Sequence, residues 1–248
     1  MEYFGSTPER LIAHLRAEGE ALAAAAAKGL STTVPTTPEW TIRDLVEHSG
    51  VVFYWVAGLL DAAPGEKIRF GHGPDAPADE TVLTWFEDSV GLVADALARA
   101  DYEAPVRTFV GEQPRAFWLR RVPLEASIHR FDAESAFGTP NSIDPTLSVS
   151  GIDEIFEVYV PSRFDTAAFG GSGETLHLHA TDIDGEWMIH FGADQVTWEH
   201  GHGKGDAAVR GTASDLYMLM WNRLSLDDRF ELFGDGSLLE RWRSTASF

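Results

Sequence analysis

The spacing of apolar residues changes near the middle of the chain, and that change limits the folds open to it. In the first half, apolar residues recur every three or four positions over long segments. This period is typical of amphipathic helices, whose apolar stripes share a core. In the second half, short runs alternate polar and apolar residues between turn signals, which is typical of strands. We therefore predict an α+β protein in which a helical region precedes a sheet.

Capping signals and breaks in the pattern divide the first half into four helices. Pro8 follows Thr7 at the favoured first helical position, and Thr41 with Asp44 resembles a capping box. The segment 61–79 is rich in proline and glycine and is predicted to be a loop. Pro123 should kink or restart the last helix. The helices are predicted at residues 8–29, 41–60, 80–100 and 115–137. This pattern favours a four-helix bundle.

The second half combines strand and helix patterns. A turn signal at 182–185 separates two alternating segments, which predicts an antiparallel hairpin. The predicted strands are residues 175–180, 186–191, 195–199, 207–210 and 230–233. The predicted helices are residues 153–159, 214–223 and 237–244. We expect residues 1–140 to form the bundle, and residues 150–248 a smaller α+β domain with an antiparallel sheet.

Composition restricts the partners of this chain. Asp and Glu number 39 and Lys and Arg number 19, which gives a net charge of −20. Such a charge argues against binding nucleic acid or anionic lipid and leaves small molecules as the expected partners. The chain has no Cys, so any thiol chemistry requires an added low-molecular-weight thiol. The sequence shows neither a membrane-length apolar segment nor a signal-peptide pattern, so we expect a cytoplasmic protein.

Three residues of two predicted helices have the chemistry of a metal site. His48 interrupts the apolar stripe of the second helix. Glu125 and His129 are four residues apart on the fourth helix and therefore share one face. Two imidazoles and a carboxylate, with a fourth position open, are the pattern of catalytic zinc. Asp132 is placed to orient His129 through its other ring nitrogen.

Simpler interpretations of the same residues stay open. His48 alone is compatible with a histidine at the edge of the core that makes one hydrogen bond. Glu125 and His129 alone are compatible with a solvated polar helix face. His177 and His179 share one face of a predicted strand, which allows a second metal site, although an exposed sheet face is the simpler interpretation. His202 lies in a glycine-rich segment, predicted to be a flexible loop.

Several motifs resemble a known family. Trp40–His48 (WTIRDLVEH) and Glu125–Asp132 (EASIHRFD) resemble the mycothiol-dependent maleylpyruvate isomerase family, whose N-terminal part belongs to the DinB-like metal-binding bundles. The second half is similar to that family's second domain, which resembles sterol carrier protein 2. The matching stretches there are residues 185–187, 210–216, 221–224 and 233–235. The resemblance covers nearly the whole chain.

The resemblance implies a cofactor, a thiol and a set of site residues. His48, Glu125 and His129 occupy the metal-ligand positions, which implies a divalent metal, zinc above all. Mycothiol is the implied thiol cosubstrate. Arg223 stands where the family has an arginine that faces the cleft between domains, and an arginine there binds a substrate carboxylate with two parallel bonds. With Asp132 as a further catalytic residue, the resemblance implies an isomerase or thiol S-transferase for a small, electrophilic, anionic substrate.

Two other functions remain alternatives to this interpretation. The same scaffold supports other metal-dependent hydrolases or transferases, because a fold does not determine a function. A non-catalytic protein that binds a small ligand in its second domain is the other alternative. Arg223 is also compatible with a helix-end arginine that interacts only with the helix dipole and solvent.

Overall fold

The computed structural model describes residues 2–63 and 66–246. Pro64 and Gly65, which belong to the predicted loop at 61–79, lie outside the described residues. The chain divides into two compact units, Met1–Asn141 and Ser142–Phe248. Among the described residues, no helix has both the length and the apolar character that a membrane span needs.

The N-terminal unit contains four long helices and a short hairpin. The elements are α1 (Pro8–Ala26), α2 (Ile42–Asp61), α3 (Asp79–Ala98), β1 (Pro105–Thr108), β2 (Gly111–Pro114) and α4 (Ala116–Ser135). Helix α1 packs against α3 and α4, and α2 packs against α3 and also contacts α4. The hairpin lies between α3 and α4 in the sequence and was not predicted, because its strands are short and largely polar.

Two of the predicted helices, α1 and α2, begin with the capping residues that the sequence predicts. The side chain of Thr7 accepts a hydrogen bond from the backbone N–H of Arg10 at the start of α1. At the start of α2, the side chain of Thr41 accepts from the backbone of Asp44, and the Asp44 carboxylate accepts from the backbone of Thr41. This reciprocal capping fixes the first turn of α2 and therefore the direction in which the helix leaves the loop before it.

Helix α4 is the most enclosed of the four. Besides its apolar residues, it buries Arg121, His129, Arg130 and Asp132. The helix continues through Pro123, so the proline does not restart it. Proline removes one backbone donor, but packing on nearly every face holds the helix together across that gap. The burial of these polar residues places titratable side chains inside the bundle.

The C-terminal unit is a five-stranded sheet with helices. The elements are α5 (Pro145–Glu154), a π-helix (Ile155–Tyr159), α6 (Val160–Arg163), α7 (Thr166–Phe169), β3 (Glu174–Ala180), β4 (Glu186–Phe191), β5 (Val196–His200), β6 (Ala207–Gly211), α8 (Ala213–Met220), β7 (Glu231–Gly234) and α9 (Ser237–Thr245). The sheet has the order β5-β4-β3-β6-β7. The helix predicted at 153–159 is an interior part of a longer helical stretch, which runs from α5 through the π-helix to the end of α6.

The sheet is antiparallel, as predicted, at three of its four pairs of neighbouring strands, and one parallel pair makes it mixed. Strands β3 and β6 are parallel, whereas the other neighbours are antiparallel. The reason is that residues 201–206 do not form a hairpin. They run from the end of β5 across β4 and β3 to the start of β6. Because of this crossing, β6 lies beside β3 and runs parallel to it. The opposite face carries the core residues, among them Leu176, Leu178, Trp187 and Ile189.

Candidate functional site

The structure brings His48, Glu125 and His129 together inside the N-terminal unit. One carboxylate oxygen, Glu125 Oε1, lies 3.3 Å from His48 Nε2 and 3.1 Å from His129 Nε2. One ligand atom from each of the three side chains lies within 4.8 Å of the other two. The three residues therefore form a single cluster, which could hold one metal ion.

Two helices supply the cluster from opposite sides. Glu125 and His129 lie one turn apart on α4, so both side chains leave the same face. His48 lies on α2, in the same turn as the buried Leu45 and Ser49. Because α2 contacts α4, a histidine at this position of its buried stripe faces the α4 pair. The imidazole of His48 thus completes a set that neither helix provides alone.

The cluster is buried on one side and accessible on the other. The side chain of His129 is 9% exposed, whereas that of His48 is 34% exposed. A small molecule can therefore approach from the His48 side while His129 is held within the bundle. The ring of Trp40 lies beside both imidazoles, with its centroid 4.9 Å from that of His48 and 6.2 Å from that of His129. The indole therefore packs against the edge of the cluster.

Further polar residues fix the orientation of the α4 pair. Asp132 Oδ2 lies 3.3 Å from His129 Nδ1, and the side chain of Asp132 is fully buried. The hydroxyl of Thr36 donates to the other oxygen of Asp132 at 2.6 Å. Arg121 donates to Glu125 Oε2 at 2.6 Å. Arg121 binds the far oxygen of Glu125, and Asp132 binds the far ring nitrogen of His129. The remaining atoms of the pair, Glu125 Oε1 and His129 Nε2, are therefore directed into the cluster.

Three of these neighbours, Arg121, Thr36 and Trp40, were not predicted as site residues from the sequence. Arg121 precedes Glu125 by four residues, so the helical spacing that paired Glu125 with His129 also pointed to it. Thr36 and Trp40 lie in the loop before α2, where no periodic pattern predicts which side chains face inward. Trp40 does belong to the motif that carries the family resemblance.

Burial and close pairing shift the pKa values of both Glu125 and His129. Burial alone would raise the pKa of Glu125, but His129 and Arg121 hold the pKa of this carboxyl well below its ordinary value. Burial alone would lower the pKa of His129, but Glu125 and Asp132 raise it to about 9. In the metal-free protein Glu125 is therefore ionised at neutral pH and His129 carries a proton. A metal must displace that proton, so metal binding weakens as the pH falls.

The donor set fits zinc better than a hard cation. Ca²⁺ and Mg²⁺ prefer six or more oxygen ligands, whereas zinc binds imidazole and carboxylate in a tetrahedral arrangement. Zn–N and Zn–O bonds of about 2.0–2.2 Å place two ligands of one ion roughly 3.4 Å apart. The separations of 3.1 and 3.3 Å around Glu125 Oε1 need only small adjustments to reach that value. A tetrahedral ion held by these three side chains would keep a fourth position for an exogenous ligand.

Arg223 lies in the C-terminal unit, just beyond the end of α8. The helix ends at Met220, earlier than predicted, and Asn222 adopts a left-handed conformation with φ of 59°. The backbone N–H of Arg223 donates to the carbonyl of Met218, and its guanidinium donates to the carbonyl of Trp221 at 3.1 Å. These contacts are those of a helix-end arginine. A role in substrate binding stays a prediction.

Comparisons with known proteins agree over nearly the whole chain. Residues 7–134 match the family model described as the mycothiol maleylpyruvate isomerase N-terminal domain, and residues 146–241 match the corresponding C-terminal domain. The fold is similar to the crystal structure of the mycothiol-dependent maleylpyruvate isomerase, with a TM-score of 0.66 and 17% identity over 94% of this chain and 95% of that chain. A histidine-to-alanine mutant of that protein matches at the same TM-score with 16% identity and the same coverage. A search of curated proteins found no match. The likeness to sterol carrier protein 2 stays a prediction.

Proposed function

Because the chain belongs to the mycothiol maleylpyruvate isomerase family, we propose that it is a metal-dependent enzyme that uses mycothiol to isomerise a small, electrophilic, anionic substrate. The observation that carries the proposal is the convergence of His48, Glu125 and His129 on one point of an accessible cluster. Maleylpyruvate, the substrate in the family's name, is the first compound to test. Its conjugated double bond and carboxylates match the predicted class.

The proposed metal is zinc, held by His48, Glu125 and His129. When bound, zinc supplies positive charge that lowers the pKa of a thiol and so favours the nucleophilic thiolate. Asp132 accepts the hydrogen bond from His129 Nδ1, so that Nε2 presents its lone pair to the metal. Arg121 neutralises the far oxygen of Glu125 and keeps Oε1 directed toward the imidazoles.

Thiol-dependent isomerisation of a conjugated double bond takes place in three steps. A thiolate adds to one carbon and converts the double bond to a single bond, rotation follows, and elimination restores the double bond and releases the thiolate. The addition places negative charge on the oxygen of the conjugated carbonyl, which a cationic donor stabilises. A carboxylate substrate also needs a local positive group in a chain of net charge −20, and Arg223 is the proposed one.

An isomerisation assay tests the proposed function against its rivals. Zinc-loaded protein should convert maleylpyruvate only when mycothiol is present, with the thiol recovered unchanged at the end. Consumption of the thiol in proportion to product would indicate an S-transferase instead. Turnover that ignores thiol would support a hydrolase or another metal-dependent enzyme. Binding of small ligands without any turnover would support the non-catalytic alternative.

A further inference from the structure

A second cluster of metal-ligand side chains lies in the C-terminal unit, on the sheet face crossed by residues 201–206. It consists of His177 and His179 on β3, Glu186 on β4, and His202 in the crossing segment. One ligand atom from each of these four residues lies within 4.8 Å of the other three. The predicted exposed sheet face is thus wrong for His177, whose side chain is only 6% exposed.

The register of the sheet explains how three of the four side chains meet. His179 is directly opposite Glu186 in the β3–β4 pair, and His177 is opposite Met188. The side chains of His177, His179 and Glu186 therefore point to one face, because alternate residues of a strand and residues opposite each other across two strands share a side. Three imidazole nitrogens surround the Glu186 carboxylate, at 2.9 Å for His177, 3.2 Å for His179 and 2.8 Å for His202.

The crossing segment lies close to the sheet at this point. A side chain at Gly203 would meet the sulfur of Met188, and one at Gly205 would meet backbone atoms of His177 and Ala207. Glycine at these two positions lets the segment pass within contact distance of β3 and β4. His202, whose side chain is 78% exposed, turns back toward Glu186 from this segment. An ion at this point would join the segment to both strands.

We propose that His177, His179, Glu186 and His202 bind one divalent transition-metal ion, with zinc as the best fit, as a structural site that fastens residues 201–206 to the sheet. Three imidazoles and a carboxylate are ligands that zinc prefers, and four protein ligands complete its tetrahedral shell. Such a closed set leaves no position for a substrate, which distinguishes it from the three-ligand cluster of the bundle. The inference does not depend on the proposed reaction.

The charge of the whole chain agrees with this assignment. Its net charge of −20 favours a cation at the protein surface.

Zinc titration of the full-length protein tests the proposal, with a His129→Ala background to disable the site in the bundle. This background should still bind one zinc ion per chain. The double change His177→Ala/His179→Ala should weaken that zinc binding by at least ~100-fold, since two of four ligands are lost. His202→Ala should weaken it about 10-fold and, because His202 is exposed, should leave the fold intact. His190→Ala, on β4 but outside the cluster, is the matched control and should change nothing.

Hydrogen exchange provides a second readout of the same site. Zinc should slow the exchange of the backbone amides of residues 201–206 in the His129→Ala background but not in the His202→Ala variant of it. A background that binds no zinc would overturn the proposal and leave the cluster as a hydrogen-bonding network only. Equal zinc binding in the background and the cluster variants, or equal losses in His190→Ala, would indicate scattered surface histidines and would overturn it as well.

Discussion

Replacing His129 with alanine should remove one zinc ion per chain and lower mycothiol-dependent turnover by at least ~1000-fold, about 4 kcal/mol of lost transition-state stabilisation. His129 is the most buried of the three proposed ligands and the one that Asp132 and Thr36 hold in place. Its loss leaves only His48 and Glu125, which are too few for a stable zinc site. Glu125 keeps its ion pair with Arg121, so we expect the bundle to remain folded.

Metal analysis and activity should be measured together on a graded series of variants. His48→Ala should behave like His129→Ala. Asp132→Asn keeps all three ligands and should weaken zinc binding about 10- to 100-fold, as is usual when a carboxylate that orients a histidine ligand is lost. His72→Ala, an exposed histidine of the same unit, is the control and should retain wild-type metal content and activity. Full metal retention in both His48→Ala and His129→Ala would refute the site.

Replacing Arg223 with alanine should lower kcat/KM for an acidic substrate about 10- to 150-fold while zinc content stays unchanged. This corresponds to the roughly 1.5–3 kcal/mol of a charge-assisted hydrogen bond. The reason is that the chain offers a carboxylate substrate a strongly acidic environment, so a single guanidinium has a large local effect. The guanidinium now donates to the carbonyl of Trp221, a bond that a substrate carboxylate would replace or share.

Conservative and matched variants separate this role from a structural one. Arg223→Lys keeps the charge but loses the planar fork, so it should restore only part of the activity. An analogue without the carboxylate should be turned over equally by the wild type and Arg223→Ala. Arg229→Ala, an exposed arginine paired with Asp227, should have no effect. Unchanged turnover of the acidic substrate by Arg223→Ala would show that Arg223 is only a helix-end residue.

Local sequence signals predicted most of the elements but not all of their partners. The Thr41–Asp44 capping box and the 186–191 strand appear where the sequence places them, because each depends on a short run of neighbouring residues. The parallel pairing of β3 with β6 escaped prediction, because it depends on the path of residues 201–206 across the sheet. Helix α4 continues through Pro123 for a similar reason, since tertiary packing outweighs the local penalty of the proline.

In the candidate site, too, local spacing predicts some residues, whereas tertiary contacts determine the others. The Glu125–His129 pair follows from helical spacing, whereas its meeting with His48 depends on how α2 contacts α4. Thr36, which holds Asp132 from a loop 96 positions away, has no signature in the sequence. In the second unit, spacing paired His177 with His179, but Glu186 and His202 joined them only through strand register and the crossing segment.

The most direct test of the central claim is a thiol titration of cobalt-substituted protein. The His177→Ala/His179→Ala variant should be used, so that cobalt occupies only the site formed by His48, Glu125 and His129. Addition of mycothiol should produce a sulfur-to-metal charge-transfer band that saturates at about one thiol per chain, as a single open coordination position requires. No such band at saturating mycothiol, with one cobalt ion per chain confirmed, would contradict the account and favour a hydrolase or a binding protein.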